Sequence, residues 1–581
     1  MRNNYFDVLK AIAIIAVVLY HMGICEYGYL GVDMFLVIAG YFTSKSIDSQ
    51  IVNREGYWHF LTNRLFRLWP LLLIAGAACL CFGWFMMLPD DYENAAQSII
   101  ATNFFGNNIL QAFTIRNYWQ VSNQYMPLMH TWYIGLIMQF YVIVPLILFA
   151  VGSWIKGCGA RTKVNIALLA LIGIISLLGF LTEGNTTYKF YFLPYRLYEF
   201  CAGGLVFYLF GKGTNVINNK IWLNISFTIV YLVVLALLFV DNTYISRPAK
   251  LLSIVALSAV LLAMMPRVGW AQKRVFANKW VATIGAASFS IFVWHQVILA
   301  MIRYSFTKEI TNTLPLIAFV GLTAILSILS YKYVERMKKT RMAWCLIALL
   351  LLLTSAGSLY IYENAGVIRD VPELEIKKGE AHRGMWAEYC DRGYLYGMEF
   401  TDSDLPKWYV IGNSFGRDMV NIILESPYAD KVEVVYSDMV TYQDCPSRFA
   451  VADVVILSTL MVDDDDIANV MAYCSEKSRF ILVGEKNFGE NNGQIYRHRY
   501  DSDYHQLTIE MEDGYAERNA RLKKKYKKYF IDMIEMVRQP DGKVRVFTDD
   551  GRFISQDCKH LTKAGAQYYA TLFDWERFFN N

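Results

Sequence analysis

Two sets of side chains in this sequence have the types and spacings of reactive sites. The first lies in apolar surroundings. Lys10 and His21 stand eleven residues apart in one apolar run, about three helical turns, which places both on one face roughly 16 Å apart. An imidazole there can act as a general base near neutral pH, and a hydrogen-bonded structural histidine accounts for the same pattern. Arg64 and Arg67, in Asn-Arg-Leu-Phe-Arg-Leu-Trp-Pro just before the third apolar run, share a helix face and can clamp phosphates bidentately. Ordinary anchoring at a membrane edge explains them too. Asp33, His130, Arg196, Glu199 and His295 also interrupt apolar runs. Ionisable groups in such places are kept for function or for pairing, so each can line a cavity or satisfy a neighbour.

The second set lies in the polar part of the chain. A short apolar run leads into Gly412-Asn413-Ser414-Phe415 and then a helical pattern. A serine between strand and helix is exposed at the carboxyl edge of a sheet, beside N–H groups that can stabilise an oxyanion. A serine at such a turn also serves as a plain helix cap. Asp557 precedes His560 by three residues and can orient the imidazole, which can then deprotonate a serine. The acidic run Asp463 to Asp466 precedes a helical pattern whose dipole favours it, with a calcium site as the sharper alternative. No CxxC or Cys/His metal spacing occurs, and no metal is expected.

The elements that must position these groups divide the chain. Of 581 residues, 55% are hydrophobic and 18% charged, the balance of a membrane protein. The net charge of +4, without a concentrated basic run, argues against nucleic acid as a partner. Eleven apolar runs are expected to span or line a bilayer, near 8–25, 30–47, 71–88, 128–150, 164–181, 194–211, 222–240, 248–265, 281–302, 314–331 and 343–362. The first begins almost at Met1 without a small-residue cleavage site and is expected to be retained. With a cytoplasmic N-terminus the inner loops hold eighteen Lys and Arg and the outer loops seven, a positive-inside bias that places residues 363–581 outside the cytoplasm. Domain boundaries are expected at 1–335 for the membrane domain, 336–404 for an eleventh helix and linker, and 405–581 for an extracytoplasmic domain. In that last part, runs at 407–412, 432–437, 454–458, 480–484 and 544–547 read as strands and 415–426, 465–477 and 513–538 as helices, the alternation of an α/β domain with a parallel sheet. Cys390, Cys445, Cys474 and Cys558 form two disulfides there or stay free.

Several motifs occur in a shared order. Lys10 to His21, Gly-Tyr-Leu-Gly-Val-Asp33-Met-Phe-Leu-Val-Ile-Ala-Gly-Tyr, Arg64-Leu-Phe-Arg67, His130-Thr-Trp with Gln139-Phe-Tyr, Arg196-Leu-Tyr-Glu199-Phe and Ser288-Phe-Ser-Ile-Phe-Val-Trp-His295 together resemble the acyltransferase family 3 membrane domain over residues 1 to about 335. The resemblance implies a polytopic domain of about ten helices that takes acyl-CoA, with acetyl-CoA the expected donor, from the cytoplasm and delivers the acyl group to surface glycans. It holds no permanently bound cofactor. By position His21 would be the catalytic histidine, Lys10 its basic companion, and Arg64 and Arg67 the phosphate contacts. Asp33, Arg196, Glu199 and His295 would bind substrate. Ile137 and Met138 stand where the family has a Glu before Gln-Phe-Tyr. Residues 405–581 resemble the SGNH hydrolase family, which would make Ser414 the nucleophile, His560 the base and Asp557 its orienter. Asn487 in Gly484-Glu-Lys-Asn-Phe-Gly would be the oxyanion donor, and Asn413 replaces the family's Asp. The two resemblances imply a bacterial O-acetyltransferase of the plasma membrane that works on a surface polysaccharide such as O-antigen lipopolysaccharide, peptidoglycan or capsule. A membrane-anchored SGNH carbohydrate esterase and a glycan transporter with an attached binding domain are the competing expectations.

Overall fold

The computed structural model describes residues 4–50, 54–114, 123–155, 157–211, 220–240, 243–268, 278–306 and 312–576. Of the basic loop residues counted above, Arg116, Lys156, Lys212, Lys273, Arg274 and Lys308 lie outside the described residues. The chain forms two units. The first comprises residues up to Phe82 and then Ala95 to Leu359 wherever they are described, and the second comprises Gly83–Asn94 and the chain from Tyr360 onward. The segment expected as an eleventh helix and linker is therefore divided at 359/360, and a short stretch from early in the sequence folds with the second unit.

The first unit is helical because its sequence offers long apolar runs with few breakers. Eight described helices are long and apolar enough to cross a bilayer, and a ninth results if Lys279–Ala286 and Ser288–Ser305, bent by 67°, form one broken span. These match nine of the eleven apolar runs. The remaining two are helix α1, Asn4–His21, and the shorter Leu197–Gly211. Helix α2 covers Gly31–Gln50 and helix α3 covers Arg54–Met86. Because α3 starts so early, Arg64 and Arg67 lie within a 33-residue helix, not ahead of it. On Gly159–Thr182 only 22% of the apolar window is buried, and Leu171, Ile174 and Ile175 stand 55%, 57% and 61% exposed. A face of this kind is stable against lipid and not against water.

Without a hydrophobic force between helices in lipid, close packing must bring them together, and small residues permit it. A Cβ at Gly203 would strike the Val37 carbonyl oxygen, and one at Gly40 would strike that of Phe200. The backbones of α2 and Leu197–Gly211 therefore touch, with Phe140 stacked on Phe200 at 3.9 Å between centroids.

In the second unit a five-stranded parallel sheet runs in the order β2-β1-β3-β4-β6. Its strands are β1 Lys407–Ile411, β2 Glu433–Ser437, β3 Val454–Ser458, β4 Arg479–Val483 and β6 Phe530–Ile531. Nearly every residue of the four longer strands is buried, as a sheet covered on both faces requires. The fifth strand lies inside the stretch 513–538 expected to be helical. The helix there is Tyr515–Tyr526, and Lys527, at φ +40°, ends it before Phe530 and Ile531 pair with β4. The expected strand at 544–547 is shortened to β7, Val544–Arg545, which pairs antiparallel with β5, Thr508–Ile509, outside the main sheet. Asp463 caps the helix Asp464–Tyr473 by accepting the Asp466 N–H at 2.7 Å, and Asp464 pairs with Lys525 at 2.9 Å. Cys390, Cys445, Cys474 and Cys558 are all free.

Candidate active sites

The first unit holds a cavity of about 450 Å³ between α1, α2, α3 and the helices Trp132–Ser153 and Ser288–Ser305. Along α2 its lining runs from Phe35 through Ile38, Ala39 and Phe42 to Lys45, Ser46 and Ser49, spaced three and four residues apart as one helix face demands. That stripe grades from apolar to polar over about 21 Å. Arg64 lines the cavity and lies over the Phe60 and Tyr141 rings at 4.9 and 4.8 Å. Arg67 lines it as well and reaches Glu335 at 3.8 Å. Lys10 joins them, 3.0 Å from Asp7. Four cations thus face one cavity: Arg64 and Arg67, expected as phosphate contacts, Lys10, expected as the basic companion of His21, and Lys45, which sequence reasoning counted only as a loop charge. Ile137, at the position of the missing Glu, presents an alkyl group to the same space.

His21 does not line this cavity, but a chain of rings leads toward it. Phe292, which does, lies 4.9 Å from His130 and 5.7 Å from His295, centroid to centroid. His295 lies 5.2 Å from His130 and 5.3 Å from His21. Three imidazoles far apart in sequence therefore meet. The Nδ1 of His295 faces the Ile291 carbonyl oxygen at 3.1 Å, and its buried Nε2 has no hydrogen-bond partner among the described residues. Arg303 donates to the His21 carbonyl oxygen at 2.9 Å and to that of Gln124 at 3.0 Å, fixing the end of α1. Sequence reasoning did not single out Arg303; its position eight residues beyond His295 on the same helix was the available signal.

Asp33, Arg196 and Glu199 come together elsewhere in the unit. Arg196 lies 2.5 Å from Asp33 and 3.1 Å from Glu199, with all three side chains buried. None of the three lines the cavity. One guanidinium between two carboxylates is the arrangement that makes buried charge tolerable.

The second unit places Ser414 as the first residue of the helix Ser414–Leu424, directly after β1. Here β1 sends the chain to β2 on one side and onward to β3 on the other, so the carboxyl end of β1 is a topological switch point where α/β sheets open a crevice. Gly412 allows the turn, since a Cβ there would strike the Ser458 carbonyl oxygen. Asn413, not Ser414, caps the helix, accepting the Phe415 N–H at 3.0 Å and the Leu460 N–H at 3.3 Å. The Ser414 hydroxyl is thereby spared a capping role.

His560 Nδ1 lies 2.5 Å from Asp557 Oδ2, and the His560 N–H donates to Oδ1 at 2.7 Å. Burial acts to lower the His560 pKa, but the Asp557 carboxylate outweighs it and the net shift is upward. Burial likewise acts to raise the Asp557 pKa, yet the imidazolium and its hydrogen bonds bring it down to about 2. The side chains are 18% and 22% exposed, whereas Ser414, expected to be exposed, is buried at 9%. The Phe415 ring, next to Ser414, lies 6.4 Å from the His560 ring. Asn487 is engaged already: its Oδ1 accepts from the N–H groups of Gly489, in its own loop, and of Glu512, just before the helix Tyr515–Tyr526, each at 2.9 Å, and its Nδ2 donates to the Gly489 carbonyl oxygen at 3.3 Å.

Two supports escaped sequence reasoning. Lys486 and Asp418 form a fully buried pair at 2.8 Å. Asp418 also accepts the Leu561 N–H at 3.2 Å, and Lys486 lies over the Phe415 ring at 3.6 Å. The pair thus joins the serine helix, the Asn487 loop and the residue after His560. The other support is Gly83–Asn94. Asn491 donates to Asp91 at 2.9 Å, and the adjacent Asn492 donates to the carbonyl oxygens of Ser555 and Gln556 at 2.5 and 3.1 Å, steadying the loop that carries Asp557. Burial, then the charges of Asp91, Asp557 and Glu93, push the Asp90 carboxyl well above the usual carboxylate range, although His560 draws it part of the way back.

Residues 3–332 match the family model described as an acyltransferase domain. Among curated proteins, one from Staphylococcus aureus (strain COL), whose name places it provisionally among O-acetyltransferases, is 26% identical over 355 residues, 57% of this chain and 56% of that one. The peptidoglycan O-acetyltransferase OatA of Listeria monocytogenes is 25% identical over 340 residues, 57% of this chain and 54% of that protein. BcsY of Komagataeibacter xylinus, provisionally named a membrane-bound transacylase, is 27% identical over 346 residues, 58% of this chain and 82% of its own length. The matches span little more than half of the first two relatives. No solved structure matches.

Proposed function

Since the chain belongs to the acyltransferase domain family, we propose that it is a membrane O-acetyltransferase that takes an acetyl group from acetyl-CoA on the cytoplasmic side and passes it to a hydroxyl of a cell-surface polysaccharide. The observation that carries this reading is the cavity in which Lys10, Lys45, Arg64 and Arg67 face one space, with Phe292 in its wall touching the histidine cluster. Cations suit the phosphates of a nucleotide thioester, and an imidazole suits removal of a proton from an attacking group. In this reading His21 takes the proton of the group that attacks the thioester carbonyl. The C–S bond breaks and CoA leaves as its thiol. The acylated group carries the acyl to the outer side, where Ser414 Oγ, its proton taken by His560, attacks the carbonyl. The carrier leaves with that proton, and Ser414 holds the acyl group as an ester. His560, held by Asp557, removes the proton of the sugar hydroxyl that displaces it and returns a proton to Ser414 Oγ. The relatives named as O-acetyltransferases support the reaction class, and the positive-inside bias supports the direction.

The test is glycan acetylation by the purified full chain supplied with acetyl-CoA, in wild type and in the His21→Ala and Ser414→Ala variants. Loss in both variants is expected. Full activity in both would overturn the assigned roles, and ester hydrolysis without any CoA consumption would favour an anchored esterase.

A further inference from the structure

The cavity has two chemically different ends. At one lie Lys45, Ser49 and Arg64, with the Arg64 guanidinium over the Tyr141 ring. Two turns back along the same helix is Tyr133, whose ring lies 6.2 Å from Phe35 and 5.2 Å from Phe292. Phe292 therefore stands at the aromatic end, away from Lys45 and Arg64. It is 4% exposed, and its far side meets His130 and His295. A ring so placed marks where the cavity adjoins the imidazoles.

We propose that Phe292 is the residue that sets the acyl chain length, closing the aromatic end of the cavity so that a two-carbon acyl group fits and longer chains do not. The inference rests on the reading of the cavity as a thioester site. With phosphates held at the cationic end, the acyl carbons extend toward Phe35, Tyr133 and Phe292, and every added methylene brings the chain closer to a ring that packed neighbours hold in place. An apolar pocket discriminates by about 10- to 200-fold for one methylene, so removing the ring should change preference by a factor of that order.

The experiment measures consumption of acetyl-CoA and hexanoyl-CoA by the full-length wild type and by Phe292→Ala and Phe292→Leu. The expected result is a hexanoyl-to-acetyl ratio raised about 10- to 100-fold in Phe292→Ala and by a smaller factor in Phe292→Leu, which stays apolar but removes the outer carbons of the ring. If Phe292→Ala consumes neither thioester, the Phe292→Leu ratio decides. An unmoved ratio alongside an active wild type overturns the role of Phe292 alone. A wild type that consumes neither thioester overturns the reading of the cavity and this proposal with it.

Discussion

The Asp557 carboxylate grips His560 twice, through Oδ2 to the ring at 2.5 Å and through Oδ1 to the backbone N–H at 2.7 Å. A carboxylate can only accept, so Nδ1 carries the hydrogen and Nε2 is the free base. Catalysis by His560 needs that nitrogen unprotonated. Because its pKa is raised above the usual 6.5, activity toward a small acetate ester should fall, as pH drops, through a midpoint above 6.5. Replacing Asp557 by Asn should cost about 10³- to 10⁴-fold in kcat, mainly by releasing the tautomer. A midpoint at or below 6.5 would contradict this picture.

The same pair makes a stability prediction. The raised pKa of His560 contributes stability that is complete below about 6.5 and fades as pH rises through its folded value. The Asp557 pKa, depressed to about 2, contributes above about 3.9 and is lost as pH falls through about 2. The ion pair is therefore expected to help most between about pH 4 and 6.5, and thermal melting of wild type against Asp557→Asn should differ most in that window.

Lys486 and Asp418 are each 1% exposed. Lys486→Met would strand a buried carboxylate, a loss of about 3–5 kcal/mol, visible as an earlier unfolding transition. The double variant Lys486→Met with Asp418→Leu should recover part of it, since an apolar pair of similar volume has no charge to strand. Equal losses in the single and double variants would show that the Leu561 hydrogen bond to Asp418 matters more than the charge.

Arg64 and Arg67 are expected to act on phosphates and not on the acyl group. Arg64→Ala should therefore raise KM for acetyl-CoA about tenfold or more while leaving kcat nearly unchanged, the pattern of lost uniform binding. With a truncated thioester lacking phosphates the variant and wild type should behave alike. A kcat effect that persists with the truncated donor would place Arg64 at the chemistry instead.

Leu88, 1% exposed, belongs to the core of the second unit along with Trp408 and Val410. Leu88→Ala is expected to cost about 2–5 kcal/mol, measured as a downward shift in the melting of that unit. No shift would mean that Gly83–Asn94 only rests on its surface.

Much of this was legible because the signals were local. Long apolar runs gave the spans, and strand-length apolar runs gave four of the five main strands. The sequence neighbours of Ser414 and the i, i+3 spacing of Asp557 and His560 marked their elements directly. What escaped depended on distance along the chain. The meeting of His21, His130 and His295 joins three helices far apart in sequence, and periodicity within one helix says nothing about its partners. The strand at Phe530–Ile531 was hidden because it follows a charged helical pattern without a Gly or Pro to end it, the break being made by the backbone of Lys527. The buried triad of Asp33, Arg196 and Glu199 illustrates the same limit: residue types gave their presence in apolar runs but not that they would answer one another.

The membership of residues 83–94 in the second unit bears on how that unit can be isolated. A fragment cut at residue 360 would keep Ser414, Asp557 and His560 yet lack the Asp91 partner of Asn491 and the Leu88 side chain within its core. Such a fragment would carry a vacant slot beside the loop that holds Asp557, and a weak or silent assay on it would report the missing dozen residues before it reported anything about the serine.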